Sequence, residues 1–479
     1  MRQAAANTDD APLIQPTSVG GWRDAVHTAL SERWRFGGLW ATAAGQGLEL
    51  RVAFTRDGDL LLLRCPDADG RFQSIVDLVP AAAWDEREAH DLYGARFPTH
   101  VPLRPLVTHT DDLASWTVPV RGRDPFQVAV GPIHAGVIES GHFRFHVVGE
   151  RILHLDLRLF YKHRGLQRAA EGRPPEEALA YLQRACAADA ASNATAFAQA
   201  CEMALGLWPQ PGLARARTVL LELERLYNHL NDIAAICAGV GYAPGNMIFA
   251  ALKEQAQRLN ERIAGHRFLF DAIRVGRSTL ELTRPQAADL QAALRDLRHD
   301  TQRAWRELQF AGSVQERFAD VGVLSAADAT RLGAVGPSAR ACGIAVDARS
   351  HSPRLAYGAF TPAVLPDATG DVAGRLEVRA AELPFVFDCL DALLTDAIAP
   401  AVAEPIRSPV SDGVSVVESP RGQTMCAVDL ERRRVRRVHL RTGSYANWPV
   451  LAHVVPGNLL PDFPLINKSF ELCYACTDR

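Results

Sequence analysis

The first clear pattern in the chain is an alternation of apolar and polar residues with a period of two from Leu48 to Phe54. An Asp57-Gly58 pair then precedes a second apolar run from Leu60 to Leu63, and this order predicts a β-hairpin with a tight turn. The segment from Trp84 to Gly94 has an acidic first turn and a terminal glycine, which predicts a short helix whose carboxylates face solvent. We therefore expect a small α/β domain over residues 1–107.

A second domain is predicted from residue 128 to residue 479. Residues 108–127 show little periodicity and are rich in Asp, Thr, Pro and Gly, so they are interpreted as a linker. The residues that follow predict short strands at the edge of a sheet, over Val128–Val130, Gly141–Val148 and Arg151–Phe160.

Helices are predicted in the middle of the second domain, where apolar residues recur at helical spacing. The predicted helices are an Ala-rich one at 185–200, one that begins at Pro175, and longer ones at Leu213–Cys237, Ala251–Ile273 and Pro285–Phe310. Charged Arg217, Glu222 and Arg225 lie off the apolar stripe of Leu213–Cys237. Strands return after Pro409, at Val414–Val417, Gln423–Val428 and Val435–Leu440. The fold class is thus α+β: a small N-terminal α/β domain and a mainly helical domain with peripheral β-strands.

The composition of the chain indicates a globular protein in a reducing compartment. The 479 residues are 48% hydrophobic and 22% charged, with a net charge of −3, which is typical of a globular protein and gives no indication of nucleic-acid binding. Nine cysteines, an odd number spread along a long chain, fit a reducing compartment and no disulfide framework.

Membrane insertion is not expected, although the uncharged run from Ile233 to Leu252 nearly has the length of a membrane span. Gly239, Gly241 and Pro244 interrupt this run, so we expect a buried helix, a turn and a second helix. The polar start of the chain predicts no signal peptide. The expected protein is soluble or peripheral on a membrane complex.

The C-terminal tail carries the main candidate for chemistry, a C-x-x-C pair formed by Cys473 and Cys476. Such a pair is half of a zinc site, a redox pair, or two thiols that fill space. Chain ends usually fray, so chemistry here requires that the tail is drawn back into the protein. The residues expected to anchor it are Phe463, Pro464, Leu465, Ile466 and Phe470. Cys186 and Asp189, at positions i and i+3 of the predicted Ala-rich helix, are the expected second half of the site.

The tail, from Asp462 to Arg479, resembles the end of the large subunits of membrane-bound, energy-converting [NiFe]-hydrogenases of the formate hydrogenlyase and hydrogenase-4 type. Further segments are similar to motifs of that family, at Gly131–Phe145, Tyr161–Gly165, Glu224–Leu230, Gly336–Arg340 with Asp347, and Glu418–Gly422. Glu86–Gly94 resembles the 30 kDa subunit of respiratory complex I, and the second domain also resembles the 49 kDa subunit.

The resemblance implies a nickel–iron centre at Cys186, Asp189, Cys473 and Cys476, but with one departure. The family presents four cysteines, whose soft thiolates suit nickel and low-valent iron, and Asp189 stands where the fourth cysteine belongs. Ala187, Asn193 and Gln167 replace a glycine, a histidine and an acid of the family pattern. These departures argue against an ordinary hydrogenase centre and predict an atypical metal site.

Four more residues receive roles by resemblance. Arg421 resembles an arginine held above the metals, and Glu139 resembles a proton-relay carboxylate; the alternatives are a structural arginine in a turn and a glutamate paired with an arginine. His134 and His163 are candidates for cofactor binding or proton transfer in a quinone-like role, or are hydrogen-bonded structural histidines.

The resemblance implies a catalytic-type large subunit of a membrane-associated oxidoreductase. Its expected partners are a small Fe–S subunit like the 20 kDa subunit of complex I, membrane subunits like ion pumps, and a formate dehydrogenase or other electron-input module. The Fe–S cluster is expected in the partner, and the complex on the cytoplasmic face of the cell membrane. Two alternatives stay open: a complex I-like subunit that uses the cavity for quinone, and a metal-free coupling subunit.

The family also implies a C-terminal extension that is removed after nickel insertion. For a sequence that stops at Arg479, the two interpretations are a shortened sequence and the absence of that maturation step.

Overall fold

The computed structural model describes residues 12–121, 125–134, 139–365 and 367–479. The strands are β1 Leu13–Pro16, β2 Arg35–Ala44, β3 Gly47–Arg56, β4 Asp59–Asp67, β5 Phe126–Val130, β6 His142–Val148, β7 Arg151–Arg158, β8 Leu207–Pro209, β9 Ile273–Arg274, β10 Arg277–Ser278, β11 Ala403–Pro405, β12 Asp412–Ser419, β13 Gly422–Glu431 and β14 Arg434–Arg441. The helices are α1 Trp22–Ser31, α2 Ala83–Tyr93, α3 Leu166–Ala170, α4 Pro175–Gln183, α5 Ala190–Leu205, α6 Pro211–Gly239, α7 Ala243–Ala264, α8 Arg284–Gln309, α9 Gly312–Phe318, α10 Ala326–Arg331, α11 Gly336–Arg340, α12 Val372–Leu393, α13 Gly443–Val454, α14 Phe463–Phe470 and α15 Tyr474–Asp478. The α+β fold class predicted from the sequence is confirmed.

The N-terminal region is a four-stranded sheet in the order β1-β4-β3-β2, with β1 parallel to β4 and the other pairs antiparallel. The predicted hairpin joins β3 and β4, and both turn residues have positive φ, 49° at Asp57 and 93° at Gly58. Asp-Gly suits this turn because the two central residues must adopt left-handed conformations. Helix α2 packs across β2, and it ends at Gly94 with φ of 72°, as the glycine predicted.

The prediction that the carboxylates of α2 face solvent is wrong. Asp85, Glu86 and Glu88 are all buried. Asp85 accepts a hydrogen bond from Arg441 at 3.1 Å, and Glu88 pairs with Arg479. Both arginines come from the far end of the chain, so the charges that allow these acids to be buried are invisible in the local sequence.

The second domain surrounds α6, a helix of 29 residues. Two antiparallel sheets, β5-β6-β7 and β12-β13-β14, lie at its periphery, and α5 packs on β12 and β13. The charged residues Arg217, Glu222 and Arg225 are buried together with the apolar stripe, because α6 is covered on all sides. Arg217 pairs with Glu202, and Arg225 lies 3.2 Å from Glu222.

Two predicted boundaries shift. The helix predicted over Ala251–Ile273 ends at Ala264, because Gly265 adopts a left-handed conformation with φ of 75°, and Ile273 lies in β9. Strand β5 begins at Phe126, inside the segment interpreted as a linker. The predicted break in the uncharged run is confirmed, since α6 ends at Gly239 and α7 begins at Ala243. Across the described residues, no helix combines the length and apolar character needed to cross a membrane.

Candidate metal centre

The C-terminal tail is folded back into the protein. Of the predicted anchors, Phe463, Leu465, Ile466 and Phe470 are buried, whereas Pro464 is exposed at the first turn of α14.

Polar contacts hold the last residues of the tail. The carboxylate of Asp478 accepts hydrogen bonds from the backbone N–H groups of Phe160, at 2.8 Å, and Lys162, at 2.9 Å. The Arg479 guanidinium contacts Glu88 and lies 4.6 Å from the ring centre of Tyr445. The end of the tail is therefore anchored to the fold, as chemistry at a chain end requires.

Three cysteines meet at the start of α15. Cys473 lies just before the helix, and its sulfur accepts a hydrogen bond from the backbone N–H of Cys476 at 3.4 Å. The Sγ atoms of Cys186 and Cys476 are 2.6 Å apart, and the sulfur atoms of Cys186, Cys473 and Cys476 all lie within 4.8 Å of one another. Cys186 and Cys476 are buried and Cys473 is half-buried.

The Asp189 side chain lies beside the sulfur atoms, and it comes from a turn rather than from a helix. The prediction that Cys186 and Asp189 share a helix face is wrong, because α5 begins only at Ala190. The backbone N–H of Asp189 instead donates to Cys186 Sγ at 3.2 Å, and Asp189 Oδ2 lies 3.2 Å from Cys476 Sγ. The turn is stabilised by Glu224, whose carboxylate accepts hydrogen bonds from the N–H groups that open α5, at 2.6 Å from Ala191.

The acid–base properties of the cluster follow from burial and mutual contact. Burial raises the pKa of Asp189, and the nearby Arg421 opposes this rise. Burial also raises the pKa of the Cys186 and Cys476 thiols well above the ordinary value. Both thiols are near enough to donate to Cys473, and this holds the pKa of Cys473 well below its ordinary value. The cluster therefore favours at least one thiolate.

Arg421 lies beside the cluster and is held on several sides. Its Nε donates to the Glu471 carbonyl at 2.5 Å and its Nη1 to Asn228 Oδ1 at 2.6 Å. The guanidinium is also 3.5 Å from Asp189 Oδ1 and 3.4 Å from Asp232 Oδ1. It thus places a fixed positive charge next to the carboxylate of the site.

Sequence reasoning assigned no role to the residues of α6 that support this arrangement, although Glu224 and Asn228 lie in a segment that is similar to a family motif. Glu224, Asn228 and Asp232 are buried. Their spacing of i, i+4 and i+8 puts them on one helix face, and this face points to the turn before α5 and to Arg421. The helical spacing of these three polar residues is the signal that was available in the sequence.

Glu139 lies next to the cluster, whereas the two candidate histidines do not join it. Burial and the charge of Cys473 raise the pKa of Glu139, and the described residues give it no ion pair. His134 Nε2 lies 2.8 Å from the Gly141 carbonyl oxygen, and His163 Nδ1 lies 2.6 Å from the Asp478 carbonyl oxygen. In this structure both histidines bond to backbone rather than to the thiols.

The other departures from the family pattern fall in two places. Asn193 points at the site, with Nδ2 3.7 Å from Cys476 Sγ and with Oδ1 unpartnered among the described residues. Gln167 lies elsewhere and accepts a hydrogen bond from Arg437 at 3.2 Å.

The donor set can be tested against the nickel–iron centre that the resemblance implies. Three convergent sulfur atoms suit a soft metal ion. Buried Asp189 Oδ1 makes no hydrogen bond within the described part of the chain, so this carboxylate is available as a fourth donor. The residues fit a centre with three thiolates and one carboxylate, and they do not supply the four thiolates of the hydrogenase pattern.

Comparison with known protein families shows two matches along the chain. The family model of the respiratory-chain NADH dehydrogenase 49 kDa subunit matches residues 240–397 and 393–479. The model of the 30 kDa subunit of the same enzyme matches residues 34–127, which includes the segment interpreted as a linker.

The chain is similar to known proteins and to solved structures of the same general kind. The chain is 30% identical over 447 residues to hydrogenase-4 component G of Escherichia coli, covering 86% of this chain and 77% of that protein. It is 29% identical over 438 residues to formate hydrogenlyase subunit 5 of the same organism, covering 85% and 77%. A chain of the membrane-bound sulfane sulfur reductase, described as an archaeal respiratory membrane complex, is similar with a TM-score of 0.68 and 25% identity, covering 74% of this chain and 99% of that one.

Proposed function

We propose a function on the premise that the chain belongs to the family of the 49 kDa subunit of the respiratory-chain NADH dehydrogenase and the large subunits of membrane-bound hydrogenases. The chain is an oxidoreductase subunit of this type. Its proposed specific role is electron transfer at a buried metal centre held by Cys186, Cys473, Cys476 and Asp189. The observation that carries the proposal is the convergence of the three sulfur atoms within 4.8 Å, beside Asp189 Oδ1, which accepts no hydrogen bond among the described residues and lies 3.5 Å from the Arg421 guanidinium.

A metal bound at these residues would supply a redox-active centre, and the chain's own residues set its surroundings. The positive charge of Arg421, 3.5 Å from Asp189, offsets part of the negative charge of thiolates and carboxylate in a largely buried site. Because an oxygen donor is harder than sulfur, we propose that Asp189 makes the centre differ electronically from a four-thiolate hydrogenase centre.

Glu139 is the proposed proton carrier of the site. A raised pKa lets a carboxyl group hold its proton to a higher pH than an ordinary carboxyl group does. Glu139 lies beside Cys473, whose pKa is held well below its ordinary value by contact with the other two thiols. Its proposed task is to hold a proton next to the sulfur when electrons arrive or leave.

The proposed partners follow from the relatives. Similar proteins are described as subunits of a membrane-bound hydrogenase and of a respiratory membrane complex. We propose that this chain is peripheral on the inner face of the cell membrane, where it pairs with a small Fe–S subunit and with membrane subunits like ion pumps. A formate dehydrogenase or similar module is the proposed source of electrons.

The test is elemental analysis of the complex purified from its native host. We expect nickel, iron or another transition metal in excess of what the partner's clusters supply. The excess should be lost in Cys476→Ala and retained in the matched control Cys201→Ala, since Cys201 is equally buried but lies outside the cluster.

An Asp189→Cys variant tests the role of the carboxylate. We expect the metal excess to remain and its spectrum to change, because one oxygen donor is replaced by sulfur. If native protein and Cys476→Ala contain the same metals, the proposed centre is wrong, and a complex I-like quinone subunit or a coupling subunit remains.

A further inference from the structure

A buried cluster of ionisable side chains lies in the second domain and includes none of the proposed metal ligands. Its members come from α6, α11, α12, the end of β12 and residues 347–349. All of these side chains are 2% exposed or less, and they are Glu222, Arg225, His229, Arg340, Asp347, Arg349, Glu382 and Glu418. Contacts of 3.9 Å or less between charged atoms join them into one set.

This cluster contains one acid more than it contains arginines. The four acids are Glu222, Asp347, Glu382 and Glu418, and the three arginines are Arg225, Arg340 and Arg349. Over the described ranges, none of these side chains forms an ion pair with a group outside the cluster. A net negative charge in the core is strongly unfavourable, so one bound proton would balance the cluster.

His229 is the first candidate for this proton, but its contacts argue against it. Its Nε2 atom lies 2.9 Å from Glu382 Oε2, whereas its buried Nδ1 atom has no hydrogen-bond partner among the described residues. An imidazolium donates from both ring nitrogens, so a protonated His229 would keep one N–H unpaired in the core. Burial accordingly lowers the pKa of His229. The proton therefore belongs on a carboxyl group.

Three of the acids each contact two arginines, which favours their ionised form. The pairs and their N–O distances are Asp347 with Arg340 (3.0 Å) and Arg349 (2.6 Å), Glu382 with Arg340 (2.6 Å) and Arg349 (3.2 Å), and Glu222 with Arg225 (3.2 Å) and Arg349 (3.8 Å). Burial alone would raise the pKa of Asp347 and Glu382, but the arginine charges outweigh it and lower both pKa values.

Glu418 is the acid with the fewest stabilising charges. Its Oε1 atom lies 2.9 Å from Arg340, an arginine shared with two other acids, and its Oε2 atom accepts a hydrogen bond from the backbone N–H of Ala348 at 3.0 Å. Burial and the charge of Asp347 raise the pKa of Glu418 to about 7, although the arginines of the cluster oppose this rise. The charged groups that face Glu418 from other elements are Arg225 of α6, Arg340 of α11, Asp347 and Arg349, Arg35 of β2 and, through Arg340, Glu382 of α12.

A cavity of about 440 Å³ lies next to this carboxyl group, at the seam between the N-terminal sheet and the second domain. Its lining includes Asp347 and Ala348, and also Val416, which lies two residues before Glu418 in β12. Ala348 donates directly to Glu418, so a residue of the cavity wall contacts the buried carboxyl group. The cavity is large enough to admit water, which gives a proton on Glu418 a short path to solvent.

We propose that Glu418 is a proton-binding site, which carries at neutral pH the one proton that balances the buried cluster and exchanges it with solvent through the neighbouring cavity. An oxidoreductase subunit would thereby have a carboxyl group besides Glu139 that binds and releases a proton. Protonation of Glu418 does not require the proposed metal centre, because within the described structure no proposed ligand pairs with the cluster.

The test is infrared difference spectroscopy of the full-length chain between pH 5 and 9. Native protein is compared with Glu418→Gln, because the pKa values of other buried acids, such as Asp85 and Glu224, are also raised. We expect the difference to contain the C=O stretch of a protonated carboxyl group at pH 6, and this band to disappear with a midpoint near pH 7. The matched control is Glu316→Gln, an exposed acid of α9, whose difference from native protein should contain no such band.

Glu382→Gln tests the charge balance itself. This variant leaves three acids with three arginines and frees Arg340 from one of its acids, so Glu418 should ionise more readily. We expect the midpoint of its band to fall by at least one pH unit, measured against the double variant Glu382→Gln with Glu418→Gln. An unchanged midpoint would overturn the proposal.

Unfolding in urea checks the same proton without spectroscopy. A raised pKa in the folded state means that folded Glu418 binds its proton more tightly than the unfolded chain does. Native protein should therefore lose stability relative to Glu418→Gln as the pH rises from about 5 to 8. Parallel stability curves, or no protonated band at pH 6, would overturn the proposal.

Two further measurements address exchange and independence from the metal. In D₂O the band of native protein should shift within seconds, and a shift that takes hours would show that the cavity is not a path for the proton. The band should persist in Cys476→Ala, so failure of the metal proposal and failure of this one are distinguishable. If Glu418→Gln does not fold, the comparison of native protein with Glu382→Gln at pH 7 decides, because only native protein should show the band.

Discussion

Removal of the Arg51 guanidinium should weaken the interface between the two domains and lower the free energy of unfolding. Arg51 is 2% exposed, and it contacts three carboxylates, Glu49 at 2.6 Å in its own strand and Asp412 at 2.5 Å and Asp429 at 3.1 Å across the domain interface. At an effective dielectric constant of about 20, each contact corresponds to roughly 5–7 kcal/mol of Coulomb attraction, which the desolvation of the ions largely offsets.

The net effect follows from the charge balance of the cluster. Arg64 also pairs with Glu49, at 3.0 Å, and Arg436 pairs with Asp429, so three arginines balance three acids. Arg51→Met leaves three buried carboxylates with two arginines, because Arg64 must then serve both Glu49 and Asp412, from which it lies 3.4 Å. We expect the free energy of unfolding to fall by about 3–5 kcal/mol. The measurement is urea-induced unfolding of the full chain at pH 7.

Two further variants make the reasoning refutable. Arg51→Met combined with Asp412→Asn restores the balance of charge, so we expect the double variant to be more stable than Arg51→Met alone. Arg434→Met removes an exposed arginine of β14 and should change stability by about 0.5 kcal/mol at most. A loss under about 1 kcal/mol for Arg51→Met, or no recovery in the double variant, would show that the cluster does not behave as a balanced set of buried charges.

Two other predictions concern single contacts. Burial raises the pKa of Asp85 to about 6 in the folded protein, even though Arg441 opposes the rise. The folded state therefore holds the Asp85 proton more tightly than the unfolded chain does. The contribution of Asp85 to stability falls by about 2 kcal/mol as the pH rises from about 4 to 6, and by about 3 kcal/mol in all once the pH is well above 6. Unfolding of Asp85→Asn at pH 4, 5 and 6 should show this variant gaining stability relative to the native chain as the pH rises, and parallel curves would contradict the assignment. In Gly413→Ala the new Cβ atom would lie 1.9 Å from the Ala200 carbonyl oxygen, so we expect a loss of about 1–3 kcal/mol or more. Gly20→Ala, which meets no atom within 4 Å, is the control, and equal stability of the two variants would show that β12 can move away from α5.

Local patterns were sufficient for much of the fold. The period-two run and the Asp-Gly pair predicted the hairpin of β3 and β4, and Gly94 predicted the end of α2. These features depend on interactions between residues only a few positions apart, so the residues that cause them lie within the segment itself. Motif resemblance added the pairing of the tail with Cys186, although 290 residues separate Cys186 from Cys476.

By itself, the sequence determined the α+β class, the family and the identity of the thiols and the carboxylate; the tertiary structure decided how they are presented. Only the fold shows that Asp189 lies in a turn, that Asn228 and Asp232 hold Arg421, and that the acids of α2 are buried. The physical reason is the same in each case. The stability of a buried charge depends on a partner from a distant segment, and no pattern within one segment records where that partner lies.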